Sequence, residues 1–176
     1  MALDRGGRAS GAPVQGCQTL KDVLAARIAA LEDRDAIRDL IARYGPLADA
    51  GDCAGAAALW TPDGVYEVGG FGEYRGRAAI QALLEGESHQ ALIHGGAAHI
   101  LSPPVIALDG DRATARTYSV VFRRIGEGWE AHRVAANVWH LARTGEGWRA
   151  TRRINRLLDG NVDARALLDQ PDLSPD

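Results

Sequence analysis

Lysine is almost absent from this chain of 176 residues. Lys21 is the only one, and arginine supplies the rest of the positive charge. Schiff-base chemistry from a core lysine is thereby excluded. Cysteine is scarce too. Cys17 and Cys53 follow no ligand spacing, so they support neither a disulfide framework nor a zinc site, and a reduced, cytoplasmic setting is expected. No apolar run is long enough to span a membrane, and "MALDRGGRASGAPVQG" lacks the apolar core of a secretory signal. An excess of one charge is also missing. The formal net charge is -3, with acids and bases interspersed, which leaves no electrostatic footprint for nucleic acid or an anionic membrane surface. Nucleophile-elbow, P-loop and dinucleotide motifs are absent, since "GGFGEYRG" precedes a strand and not a helix.

What is present reads as a soluble domain. An apolar share of 46% beside 24% charged residues is that of a globular protein, and the length allows a sizeable core. The richness in Ala, Arg and Gly correlates with high-GC bacterial coding. Residues 1–18 read as a disordered tail, 19–168 as one domain, and 169–176 as a polar C-terminal tail. "TLKDVLAARIAALEDRDAIRDLIARYGPLADAGD" is helical. Val23, Leu24, Ile28 and Leu31 make one apolar face, and Ile37, Leu40, Ile41 and Tyr44 another. Asp33 or Asp35 can cap a fresh start, and Pro46 is expected to kink or end the helix. "CAGAAALW" is a short helix closed by the turn signal "TPDG", "VYEVGG" and "GEYRG" form a hairpin, and "RAAIQALLEGESHQALI" is a third helix. The remaining segments, "HILSPPVIALDGD", "RATARTYSVVFRRI", "WEAHRVAANVWHLART" and "GWRATRRINRLL", alternate as strands between hairpin turns. "DARALLDQPDLSPD" closes the chain as a short amphipathic helix and tail. Helices first and an antiparallel meander afterwards predict an α+β fold.

"AIRDLIARYGPLADAGDCAGAAALWTPDGVYEV", "GFGEYRGRAAI" and "AAHILSPPVIALDGDRATA", followed by a "GEGW" hairpin, resemble the SnoaL-like branch of the nuclear-transport-factor-2-like superfamily. In layout they are similar to the scytalone dehydratase and hexachlorocyclohexane dehydrochlorinase types, over about Leu31 to Leu158. The resemblance implies a cone-shaped, curved antiparallel sheet around three N-terminal helices, enclosing a pocket. It carries the catalytic aspartate and histidine of those lyases onto Asp49 and His99, an aromatic onto Tyr66, and pocket-lining positions of the last strand onto Arg153 and Asn155. His94 is the candidate for a second histidine, and Trp139 is a further candidate for substrate contact besides its packing role. Two departures stand out: Pro103 where relatives often have asparagine, and Pro46 three residues before Asp49. The family also implies a homodimer or homotrimer joined through the sheet.

An imidazole is the natural proton carrier near neutral pH. A carboxylate on one ring nitrogen fixes the tautomer and stabilises the imidazolium formed on proton abstraction. Such a dyad suits abstraction from carbon with loss of a β leaving group, or relocation of a proton in an enone, with no metal or cofactor. Tyr66 could donate to a leaving oxygen, and Arg153 and Asn155 could hold a carbonyl or phenolate. The first expectation is therefore a cofactor-free lyase or isomerase acting on a small, mostly apolar cyclic molecule. The dyad requires Asp49 and His99 about 2.6–3.2 Å apart; a separation beyond about 5 Å, too long for a hydrogen bond, points instead to a small-ligand-binding protein. Plainer readings stand beside each residue: His99 as a core histidine, Asp49 as a helix-end acid, Tyr66 as a core aromatic, and Arg153 on a solvated strand face. Trp60 and Trp148 read as packing, and His132 and His140 as structural. The five-residue recurrence of His89, His94 and His99 is not one face of a helix, so no metal site is expected. A third reading makes the sheet face chiefly an assembly surface, with Val138 or Val121 exposed on it.

Overall fold

The computed structural model describes residues 15–169. The expected tails thus lie outside the described residues, except that Gln15 to Gln18 already belong to the first helix, α1 (Gln15–Asp49). By internal contacts the chain divides into a unit ending at Glu32 and another beginning at Asp33. In the first, α1 leaves Leu20, Val23, Leu24, Ile28 and Leu31 exposed. Everything below concerns the second.

There α1 buries Ile37, Leu40, Ile41, Tyr44 and Ala48, spaced three to four residues apart as one helical face requires. No fresh start occurs at Asp33 or Asp35. Asp33 instead accepts from Trp148 Nε1 at 3.0 Å and Arg143 Nη2 at 2.5 Å. Pro46 does not end the helix either. It has no N–H for the carbonyl of Ala42, yet α1 runs on to Asp49, and the Ala50 N–H donates to the Pro46 carbonyl at 2.9 Å. The short helix α2 (Cys53–Ala57) is capped by Asp52, which accepts from the Gly55 N–H at 2.8 Å. The expected third helix is two, α3 (Arg77–Glu85) and α4 (Glu87–His94), separated where Gly86 turns extended (φ −62°, ψ 148°).

The strands are β1 (Trp60–Val68), β2 (Gly72–Arg75), β3 (Ala97–Leu101), β4 (Val105–Asp109), β5 (Arg112–Ile125), β6 (Gly128–Thr144) and β7 (Gly147–Leu157), followed by α5 (Val162–Leu168). They form one sheet in the order β2-β1-β7-β6-β5-β3, with β4 also on β5. The fold is α+β with a curved, open sheet. It is mixed and not wholly antiparallel, because β1 lies parallel to β7. "TPDG" is no turn but part of β1, where the register shifts between Trp60 and Val65. Trp60, Trp139 and Trp148 are buried in the core that the inner sheet face shares with α1.

One irregularity positions the site. Leu141 pairs with Ala150 and His140 with Arg152, so Thr151 is an extra residue, a bulge on β7. Before it Trp148 and Ala150 point inward; after it Arg153 and Asn155 do. No helix among the described residues is long and apolar enough to cross a membrane.

Candidate active site

Asp49 and His99 meet where the last turn of α1 crosses β3. The approach is close: a Cβ at Gly45 would stand 2.1 Å from the His99 carbonyl oxygen, so only glycine fits there. Asp49 uses both oxygens on one residue. Its Oδ2 accepts from the His99 backbone N–H at 2.8 Å, and Oδ1 lies 2.5 Å from His99 Nδ1. A proton on Nδ1 satisfies the carboxylate and leaves Nε2 with its lone pair. His99 lines a cavity of about 1160 Å³, so that nitrogen belongs to a ring at the cavity wall.

A further stretch of the wall comes from β6 and β7. Arg153 is 2% exposed and lies on β7 beside Trp139 of β6. Its guanidinium carbon is 4.3 Å from the ring centroids of both Tyr44 and Trp139 and 4.8 Å from that of Tyr66, a cation in an aromatic cage. Its Nε donates to Asn137 Oδ1 at 3.0 Å, while Nη1 is buried without a hydrogen-bond partner among the described residues. Asn137 is the hub of this wall. Its Oδ1 also accepts from Asn155 Nδ2 at 3.0 Å, and its own Nδ2 donates to Ser119 at 2.9 Å. Asn155 in turn accepts from Arg133 Nη2 at 2.8 Å. Burial pushes the Tyr44 hydroxyl well above the ordinary phenol range; Tyr66 adds to the shift and Arg153 opposes it. Tyr44 therefore stays a neutral hydroxyl.

The structure thus brings Asp49, His99, Tyr66, Arg153 and Asn155 to one cavity, with Asp49 behind His99. It does not bring two other candidates. His94 is exposed on α4, off the cavity wall, with Nδ1 2.6 Å from the Gln90 carbonyl. Trp139 is fully buried behind Arg153, its Nε1 donating to Thr117 at 3.3 Å, so it supports the cavity wall without forming it. The histidine that does face His99 is His89, at 5.5 Å between ring centroids. Its Nδ1 lies 2.8 Å from the Leu84 carbonyl, and its Nε2 is buried without a partner among the described residues. Burial lowers the His89 pKa below the ordinary imidazole value, and the neighbouring His99 imidazole lowers it further. His89 is then a neutral acceptor. Its signal in the sequence was Gly86, which breaks the helix and resets the phase of α4. Among the described residues no three His, Cys, Asp or Glu side chains are grouped to hold a metal.

Residues 29–154 match the family profile of the SnoaL-like domain. The chain belongs to the SnoaL-like family. Among solved structures, this SnoaL-like chain is 55% identical to an NTF2-like protein with a cystatin-like fold from Novosphingobium aromaticivorans, over 84% of this chain and 96% of that one, with a TM-score of 0.82. A Catenulispora acidiphila protein solved in complex with S-DNPA is 23% identical over 80% and 99% of the two chains, TM-score 0.63. ActVI-ORFA of Streptomyces coelicolor is 21% identical over 72% and 98%, TM-score 0.63. These last two share the fold. No curated protein matches the chain.

Proposed function

We propose that this SnoaL-like protein is a cofactor-free lyase or isomerase that abstracts a proton from carbon in a small, mostly apolar cyclic molecule. The observation that carries the reading is the double hold of Asp49 on His99, at 2.5 and 2.8 Å. It favours catalysis over simple binding, because it fixes one ring nitrogen as a base. In an elimination, a C–H bond α to a carbonyl breaks, the proton passes to His99 Nε2, and the electron pair becomes an enolate. Arg153 and Tyr66, both in the cavity wall, would stabilise the charge on that oxygen. The enolate then collapses to a double bond as the β carbon–oxygen bond breaks, and the proton returns from His99 to the departing hydroxide, releasing water. A fold relative solved with S-DNPA supports a small-molecule ligand in this scaffold.

The test is dehydration of a bicyclic β-hydroxy ketone, 3-hydroxy-1-tetralone, to 1-naphthol, followed by naphthol fluorescence, with cyclic enones and halides in parallel. His99→Ala is expected to lower the rate by about 10²- to 10⁴-fold, and Asp49→Asn to follow it in direction. An unchanged rate in His99→Ala would sink the proposal. Binding of such compounds with no turnover by the wild type would favour the small-ligand-binding alternative.

The reading takes a homodimer or homotrimer through the sheet. Val121 and Val138 cannot serve that contact, since both are buried, but Ile100, Tyr118 and Val134 are exposed on neighbouring outward positions. Light scattering is expected to give two or three copies, and Tyr118→Glu to give fewer; a monomeric wild type removes the assembly.

A further inference from the structure

Four arginines line the cavity, Arg123, Arg124, Arg133 and Arg153, against one carboxylate, Glu87. Arg123 is already neutralised by Glu130, 2.6 Å away. Arg133 and Arg153 are not: among the described residues neither forms an ion pair, and their bonds go to amide and carbonyl oxygens. Arg153 is accounted for by the enolate oxygen of the proposed reaction. Arg133 has no role in it.

Arg133 is half-buried and lies 5.5 Å over the ring of Phe71. Its Nη2 donates to the Gly69 carbonyl at 2.6 Å and to Asn155 Oδ1 at 2.8 Å. That clasp on the β1–β2 connection is a structural use of one nitrogen. It leaves Nε and Nη1 without an acceptor among the described residues, on a side chain that lines the cavity. Burial, and the like charge of Arg153, lower its pKa from the ordinary arginine value, although a guanidinium remains charged. A half-buried cation with no counter-charge is partly desolvated at a cost, and a ligand anion in the cavity would offset that cost.

We propose that the cavity takes a carboxylate: the substrate is a flat cyclic acid whose carboxylate sits on Arg133 while its reacting carbon lies at His99. The inference rests on the proposed reaction for the second half of that statement only. Arg124 also lacks an ion pair among the described residues, but it is exposed and bonds the Gly126 carbonyl at 3.1 Å. That leaves Arg133 as the one half-buried guanidinium of the four without a counter-charge or a role. It matches the single charge of a carboxylate, where a phosphate monoester brings about -1.5 to -2. The apolar stretch between the two ends, with Leu101 and Val121 in its wall, suits a ring system.

Anthracene-2-carboxylate and its neutral methyl ester are the probes, titrated by fluorescence anisotropy against the full chain. The acid is expected to bind the wild type about tenfold more tightly than the ester, the worth of one charge-assisted contact. Arg133→Gln is expected to erase that preference while leaving ester binding and the circular-dichroism melt in place. Arg133→Lys keeps a cation and is expected to retain part of the preference. His99→Ala is expected to keep all of it, so a failure of the proton-abstraction reading is seen separately. Equal binding of acid and ester, a preference that survives Arg133→Gln, equal loss in the Gln and Lys variants, or no saturable binding of either probe overturns the proposal.

Discussion

The two faces of β7 carry the same residue type to opposite ends. Arg152 and Arg156 point outward and find acids: Arg152 Nη2 lies 2.6 Å from Glu67 and 3.0 Å from Glu73, and Arg156 also pairs with Glu67. Those contacts, Arg156 foremost and against some opposing burial, hold the Glu67 carboxyl below its ordinary pKa. Arg153, between them in sequence, points inward and finds three aromatic rings, one amide and no acid. A charge paired in solvent is worth little to folding. A charge buried without a partner works against folding, which makes such a residue a candidate functional group. On that ground Arg153 is the better candidate for a ligand contact.

The sharpest way to break this comparison is one substitution on each face. Arg153→Met is expected to lower turnover of any substrate of the wild type by about 10²- to 10³-fold, the usual cost of removing one preorganised donor. Arg152→Met is expected to leave turnover within about twofold and to change the urea-unfolding free energy by less than about 1 kcal/mol, as ion pairs that keep contact with solvent do. Comparable losses of turnover in both variants would mean that inward placement confers nothing special.

Much of this was legible beforehand, and the part that was not has a physical cause. The period-two alternation of "RRIN" put Arg153 and Asn155 on one face, and the family resemblance named Asp49 and His99. The inward face of Arg153 and Asn155 came from the resemblance and not from the local pattern, because the bulge at Thr151 reverses the parity set by Trp148 and Ala150, and a bulge leaves no hydrophobic pattern of its own. Asn137 was missed although it stands at inward parity between Ala135 and Trp139, the one polar residue of that apolar stretch. The resemblance offers His94 as a second histidine, whereas the break at Gly86 starts a new helix that carries His89 to the cavity and leaves His94 exposed. Parallel pairing of β1 with β7 joins segments far apart in sequence, which no local period reports. The apolar face of Val23, Leu24, Ile28 and Leu31 is exposed; a stripe shows that a face can be buried, not that it is.

The same inside-outside contrast recurs, more weakly, in two histidines. Burial lowers the pKa of His89 at the cavity, with the neighbouring His99 imidazole second; desolvation also comes first for His140 on the outer face, followed by Arg152 and Arg116. Both shifts lie below the ordinary value of 6.5. The unfolded chain then binds protons that the native state resists, so stability is fully present above that value and is lost as pH falls through it. His140 keeps an exposed surface, so its share is the smaller, and salt screens the repulsion from its arginine neighbours. Urea unfolding from about pH 7.5 to about pH 5.5 is therefore expected to show a falling stability whose slope is flattened by His89→Gln at any salt concentration. His140→Gln is expected to flatten it less, and least of all in high salt. An unaltered slope in His89→Gln would mean that the cavity hydrates that ring well enough to charge it, and the neutral acceptor beside His99 would be lost with it.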